Sequence, residues 1–275
     1  MVAMPIDGCL RRLSRALEDD ELNVFYQPQV DSSGLLQGLE ALVRWHHPED
    51  GLLVPDQFLP CAESSDVISE IGDWVLRTAC AQLGPWQSAG YRPLRLGVNL
   101  ASRHLSQPDL VSQVEQALAA GGLSAGWLDL ELPETLTRRA IEKIFGSLHE
   151  LAALGVGLSI DDFGTGQLSL SDIRRIPLDN LKVDRSLVCN VAGDPNSAAL
   201  AGATIAMAHE TGLNVVAEGV ENADQHAILL GNDCDGMQGY LFGRPAPAYE
   251  IEDLLSGEKY LSGEPDRSLV QAAGV

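Results

Sequence analysis

Five carboxylates and one amide hold the chemistry this chain can do: Glu40, Asn99, Glu131, Asp161, Asp162 and Glu218 each stand where a short apolar run reads as ending. All six offer hard oxygen ligands, which suit Mg²⁺ or Mn²⁺ better than a thiolate-seeking metal. Crowded together without counter-charge, the carboxylates would repel and raise one another's pKa values. Two divalent cations bring +4 against −5, and Lys182 in the run LDNLKVD takes the sum to zero. A pair of dications is the general means of in-line displacement at phosphorus. Lys182 is placed to orient or deprotonate the attacking water, and Arg44, in EALVRW, is the fork for a substrate phosphate. These charges predict phosphate-ester hydrolysis. A lone Asp or Glu is most often a solvated or ion-paired surface group; six together, each closing an apolar strand, are not. The histidines carry no such pattern. His46, His47, His104, His149, His209 and His226 lack partners at zinc-like spacing and read as ordinary side chains.

Elements that could gather these groups alternate along the chain. LNVFYQPQV and LLQGLEALVRW, joined by the turn signal DSSG, pair as a hairpin. Helices and strands then follow in turn. The strands are RLGVNLA, WLDLEL, GVGLSIDD, LDNLKVD, LNVVAEG and CDGMQGYLFG. Among the helices, VISEIGDWVLRTACAQLGPW is strongly patterned, PDLVSQVEQALAAGG has Pro and Gly punctuation, and DPNSAALAGATIAMAHETG is Ala-rich. ETLTRRAIEKIFGSLHELAALG repeats Ile141, Ile144, Leu148 and Leu151 at helical spacing. Such alternation predicts a parallel sheet wrapped by helices, with too many units for a small open sheet. The expected fold is a closed (βα)8 TIM-like barrel whose first strand, from the opening hairpin, runs antiparallel to the others. Strand C-termini of such a barrel meet at one rim, where the active site lies. The expected organisation is a lead-in helix over 1–22, with Leu10, Leu13 and Leu17 on one face, a barrel over 23–255, and a loosely held tail over 256–275.

Bulk properties agree. A length of 275 residues suits one such barrel. The net charge of −21 argues against duplex nucleic acid or an anionic membrane as partners of the general surface. An anionic ligand can still bind where metals and a few cations reverse the field. No run approaches ~18 apolar residues, and the N-terminus lacks the order of a signal peptide. The five cysteines, Cys9, Cys61, Cys80, Cys189 and Cys234, form no CxxC pair and read as buried packing thiols in a reducing compartment. A soluble, cytoplasmic chain is expected.

The chain resembles the EAL-domain family of cyclic di-GMP phosphodiesterases over roughly residues 10–255. YQPQV (26–30), EALVRW (40–45), HPEDGLLVPDQFLPCAE (47–63), VNL (98–100) and ELPET (131–135) carry the resemblance. DDFGTG (161–166), LKVDRSLV (181–188), VVAEGVEN (215–222) and QGYLFGRP (238–245) continue it. The resemblance implies Glu40, Asn99, Glu131 and Asp161 as ligands of one metal, and Asp161, Asp162 and Glu218 as ligands of a second. It implies Lys182 as the water-orienting lysine, with Glu40 and Glu218 beside it in catalysis. Gln27, Leu42, Arg44, Asp184, Glu221 and Gln238 fall where substrate contacts are expected, and Glu134 where an acid pins the DDFGTG loop. The implied reaction is hydrolysis of cyclic di-GMP to pGpG with two Mg²⁺ or Mn²⁺ ions. Ca²⁺ is expected to bind without supporting turnover, and a homodimer is expected. Pro133 stands where the family usually has Thr, Ala101 where it often has Ser, and Gln167-Leu168 where it has Tyr-Ser. None of these removes a ligand, but they bear on rate and on dimer coupling. Two rivals differ in class. A receptor that binds the dinucleotide without cleaving it would usually have lost ligands or the Glu-Ala-Leu triplet. A lyase-like barrel enzyme acting on sugars or carboxylates would not account for Arg44 and Lys182 together with the ordered motifs.

Overall fold

An antiparallel hairpin and six parallel strands close on one another in the computed structural model, which describes residues 6–91, 94–164, 166 and 168–256. After helix α1 (Ile6–Glu18) come β1 (Leu22–Asp31), β2 (Leu36–His47) and the short β3 (Gly51–Leu53). Helices α2 (Pro55–Ala62) and α3 (Val67–Ser88) lead to β4 (Arg95–Asn99), and α4 (Ser102–Leu105) and α5 (Leu110–Gly121) to β5 (Leu128–Pro133). Then follow α6 (Arg138–Leu154), β6 (Gly157–Phe163), α7 (Leu170–Ile173), β7 (Asn180–Val183), α8 (Arg185–Val188), α9 (Pro195–Glu210) and β8 (Asn214–Ala217). Helix α10 (Ala223–Leu230), β9 (Gly236–Gln238), β10 (Ala246–Pro247) and α11 (Ala248–Ser256) complete the order.

The ring runs β1-β9-β8-β7-β6-β5-β4-β2 and closes through β1–β2 pairing. Strand β1 is antiparallel to both its neighbours, and every other contact in the ring is parallel. The (βα)8-type barrel with an inverted first strand is therefore the fold. Helical periodicity places the core as expected: α6 buries Ile141, Ile144, Leu148 and Leu151. Its ends carry their own signals. The Thr137 side chain accepts from the Ala140 N–H at 3.3 Å, and Gly155 closes the C-terminus at φ 91°, a left-handed turn that glycine makes without a Cβ clash. Leu13 of α1 is buried, with Leu10 and Leu17 packed beside the core.

Two expectations change. Glu40 is not at a strand terminus, because β2 continues through His47. The reason is the hairpin: the β1–β2 ladder runs on to Leu22↔Trp45, whereas parallel pairing of β2 with β4 stops at Ala41↔Val98. Glu40 thus stands where the barrel ends although its strand does not. The cysteines are not all buried thiols either. Cys9 of α1 and Cys61 of α2 form a disulfide, with Cα atoms 6.4 Å apart across a sequence separation of 52, and Cys189 is exposed. Only packing of α1 on α2 brings that pair together, which no spacing rule reveals. Cys80 and Cys234 are buried thiols, both pushed up to about 12 by burial. The tail over 257–275 and the Gln167 departure lie outside the described residues.

Candidate active site

Lys182 organises the floor of the site. It is the third residue of β7, points into the barrel and is 2% exposed. Its Nζ lies 2.7 Å from Glu218 Oε1, 2.8 Å from Glu131 Oε2, 3.2 Å from Asp161 Oδ1 and 3.3 Å from Glu40 Oε2. Carboxylates from β2, β5 and β6 and from the residue after β8 therefore converge on one ammonium. Glu40 has two further donors: Asn99 Nδ2 gives a hydrogen bond of 2.6 Å to Oε1, and Gln238 Nε2 one of 2.6 Å to Oε2.

Asp161 and Asp162 both serve this rim, which regular pleating would forbid because successive side chains face opposite ways. The β6–β7 register slips between Ile160 and Phe163, and Asp162 takes φ 56°, a region Asp tolerates better than most residues. The bulge turns the second carboxylate into the loop. Carboxylate oxygens of Asp161, Asp162 and Glu218 consequently lie within 4.8 Å of one another. Glu134 Oε2 accepts from the Gly164 and Gly166 N–H groups at 3.2 and 2.7 Å, which ties this loop to the end of β5.

Electrostatics separate the acids. Burial pushes Glu40 up, but Lys182 and the donors Gln238 and Asn99 outweigh it and hold the carboxylate below its ordinary range. Burial raises Glu131 and Glu218 well above theirs, with Lys182 opposing in both and Glu40 adding to the rise. Asp161 also rises through burial, against the pull of Lys182. Lys182 loses solvation, yet Asp161, Glu131, Glu218 and Glu40 hold it protonated well above the usual lysine range. A hard divalent cation fits this donor set. Every donor is oxygen, negative charge exceeds the lysine's, and Glu131 Oε1 is buried without a hydrogen-bond partner.

A pH dependence follows. Asp162 is pushed up to about 6 by burial and then by Asp161 and Asp184, and Asp129 to about 6 by burial against a hydrogen bond from Ser159. Between the ordinary carboxylate range and about 6, the folded chain holds more protons than the unfolded one. Stability must then fall as pH rises through that window. Glu21, held low first by its hydrogen bond from Arg12, acts below it. Urea midpoints without added metal should be higher at pH 5 than at pH 7, and Mn²⁺ should close the gap; a midpoint that climbs from pH 5 to pH 7 would contradict the assignment.

A cavity of about 680 Å³ opens above this floor, a size suited to a small-molecule ligand. Gln27, Leu42, Arg44, Asp184, Glu221 and Gln238 all line it. Arg44 is buried, donates to the Val43 carbonyl at 2.8 Å and lies 5.7 Å from the Phe25 ring centroid. Asp184 caps α8 by accepting from the Ser186 N–H at 2.9 Å. Glu221 pairs with Arg185 at 2.8 Å. Gln238 is 4% exposed, and its Nε2 donates to Glu40 and to Gln27 Oε1. All the residues singled out from sequence thus meet at one rim. A polar layer beneath them was not singled out: Asp129 is bonded to Ser159, and Asn180 donates to Ser159 Oγ at 3.1 Å. The signal was the two-residue strand period, since these stand two positions before Glu131, Asp161 and Lys182.

Fold and rim define a (βα)8-type barrel with an inverted first strand and an oxygen-rich centre. The chain belongs to the EAL domain family, whose profile matches residues 10–245. It is 45% identical over 261 residues to the cyclic di-GMP phosphodiesterase NbdA of Pseudomonas aeruginosa, covering 94% of this chain and 33% of that protein. It is 41% identical over 243 residues to the bifunctional diguanylate cyclase/cyclic di-GMP phosphodiesterase MucR of the same organism, covering 88% and 36%. The chain therefore spans about a third of the length of these relatives. Among solved structures, the PaMucR phosphodiesterase in its c-di-GMP complex superposes with a TM-score of 0.84 at 40% identity, covering 89% of this chain and 99% of that one. The EAL domain of Xanthomonas citri FimX, in complex with c-diGMP, matches at 24% identity and TM-score 0.78, covering 88% and 94%, and shows the shared fold alone.

Proposed function

We propose that this barrel hydrolyses cyclic di-GMP to linear pGpG and so lowers the concentration of that second messenger. The observation that carries the reading is the convergence of Glu40, Glu131, Asp161 and Glu218 on Lys182, with Asp162 beside them, at the floor of a cavity lined by Arg44 and Gln27. Glu40, Asn99, Glu131 and Asp161 would hold one divalent cation, and Asp161, Asp162 and Glu218 a second, either Mg²⁺ or Mn²⁺. Bound there, the ions would supply the Lewis acidity that makes a phosphodiester susceptible to water. The protein's own groups do the rest. Lys182, held protonated by its four partners, serves as a donor that orients the water rather than as the base that deprotonates it. Arg44 offers its guanidinium to a phosphate oxygen. Glu134 keeps the loop that bears Asp162 in place.

The same reading includes a homodimer, with exposed Leu170 beyond the Asp162 loop available for contact. No helix among the described residues is long and apolar enough to cross a membrane. We place the reaction in the cytoplasm, where the Cys9–Cys61 bond is the feature a reducing environment would open. Thermal denaturation with cyclic di-GMP and Ca²⁺ tests the binding half of the reading. Ca²⁺ should fill the ligand set without supporting cleavage, so the midpoint should rise with dinucleotide concentration by mass action. A sugar acid should give no rise. A flat response to the dinucleotide would refute the assignment.

A further inference from the structure

Three glutamines join β1 to the catalytic carboxylate, and one of them has no role in the reading above. Gln27 and Gln29 stand two apart on β1 and share a face. Strand β1 lies between β2 and β9, so Gln27 is in register with Glu40, and Gln29 with both Gln238 and Gly38. The hydrogen bonds run in one direction. Gln29 Nε2 donates to Gln238 Oε1 at 2.9 Å, and Gln238 Nε2 donates to Glu40 Oε2 at 2.6 Å and to Gln27 Oε1 at 3.1 Å. Gln27 Nε2 donates in turn to the Gly243 carbonyl at 3.1 Å.

A carboxamide has nearly the same shape either way round, yet one end donates and the other accepts. Turned over, Gln238 would present its oxygen to the Glu40 carboxylate, and two acceptors would face each other in a buried site. Sterics do not prevent that turn; the partner on the far side does. With Gln29 donating to Oε1 on one side and the Glu40 carboxylate accepting on the other, the amide of Gln238 directs its NH₂ toward Glu40. Gly38 gives the Gln29 amide room, since a Cβ there would stand 3.0 Å from Gln29 Oε1 and 3.1 Å from the Arg95 carbonyl oxygen.

We propose that Gln29 is a positioning residue for the phosphodiesterase reaction, acting through Gln238 to hold the Glu40 carboxylate aimed into its ligand set. The proposal rests on the function given above. Gln29 itself touches no reacting atom. The relay supplies a neutral donor to a buried carboxylate that already shares Lys182 with three others, so it fixes Glu40 without adding another charge.

Gln29→Met keeps the length and removes the donor; Gln29→Glu keeps the shape and turns the donor into an acceptor that draws the Gln238 NH₂ away from Glu40. Mn²⁺ binding to the whole chain, followed by calorimetry, is the primary readout, with kcat, KM and thermal midpoint beside it. Gln29→Met should weaken Mn²⁺ binding roughly 10-fold, in the range found for groups that orient metal ligands. Gln29→Glu should weaken it further, and kcat should fall in both while KM for cyclic di-GMP stays within about two-fold. When Gln238→Leu has already cut the relay, adding Gln29→Met should change Mn²⁺ affinity less than about two-fold. A merely structural role would lower the thermal midpoint and act equally in both backgrounds. Wild-type Mn²⁺ affinity in both Gln29 variants, or an undiminished effect beside Gln238→Leu, overturns the relay alone. Failure of the unaltered protein to bind Mn²⁺ or to cleave the dinucleotide overturns the functional reading and the relay with it.

Discussion

Lys182→Met is expected to lower turnover of cyclic di-GMP by roughly 10²–10⁴-fold, the range for a side chain that handles the proton or water of a hydrolysis. The same change should destabilise the fold by about 3–5 kcal/mol at pH 8, as removal of one member of a buried ionic set does. Both effects come from one geometry: a single ammonium lies within 3.3 Å of four carboxylates, three on β2, β5 and β6 and the fourth, Glu218, just past the end of β8. Without it, the barrel floor holds several negative charges and little solvent. Glu131, Glu218 and Asp161 already lean toward the protonated form through burial, so they would take up protons in place of the lysine. The stability loss should therefore shrink as pH falls from 8 to 6. Steady-state kinetics and urea denaturation at the two pH values check both halves. Wild-type turnover would remove Lys182 from the reaction, and a loss independent of pH would remove the electrostatic explanation of its burial.

Asp161→Asn should produce a different pair of effects. The residue belongs to both proposed ligand sets, and the amide keeps its size while losing its charge. Turnover is expected to fall by roughly 10³-fold, near the upper end for loss of one preorganised electrostatic group, and fewer Mn²⁺ ions should bind per chain. Stability should move the other way or not at all. Burial already raises this carboxyl, so its charged form opposes folding at pH 7. Neutralising it should leave the urea midpoint at or above that of the unaltered protein. A variant that loses activity and also unfolds early would show Asp161 holding the barrel together rather than serving its rim.

Much of this site was legible because barrel strands repeat a simple rule. Apolar runs that end in Asn99, Glu131, Asp161 and Glu218 could be read without knowing their neighbours, since a parallel barrel brings those ends together whatever the detail. Asp162 was legible as a partner of Asp161, although the bulge that makes it one was not. What sequence hides is register. The contact of Gln29 with Gln238 joins residues 209 apart and exists only because β1 inverts and pairs with β9. The second glutamine of YQPQV carried no signal that would single it out. Glu40 was misplaced at a strand end for a related reason, since an antiparallel ladder continues where the parallel one stops. The Cys9–Cys61 bond depends on how α1 lies on α2, a packing choice made by Leu13 and its neighbours and not by cysteine spacing.

The most direct measurement mixes the purified chain with cyclic di-GMP and Mg²⁺ and resolves the nucleotides by chromatography over time. Linear pGpG should accumulate as the cyclic dinucleotide disappears, should cease on chelation of the metal, and should be nearly absent with Lys182→Met. Unchanged cyclic di-GMP after prolonged incubation with either Mg²⁺ or Mn²⁺, in a sample that still binds the dinucleotide, would contradict hydrolysis and leave a receptor in its place.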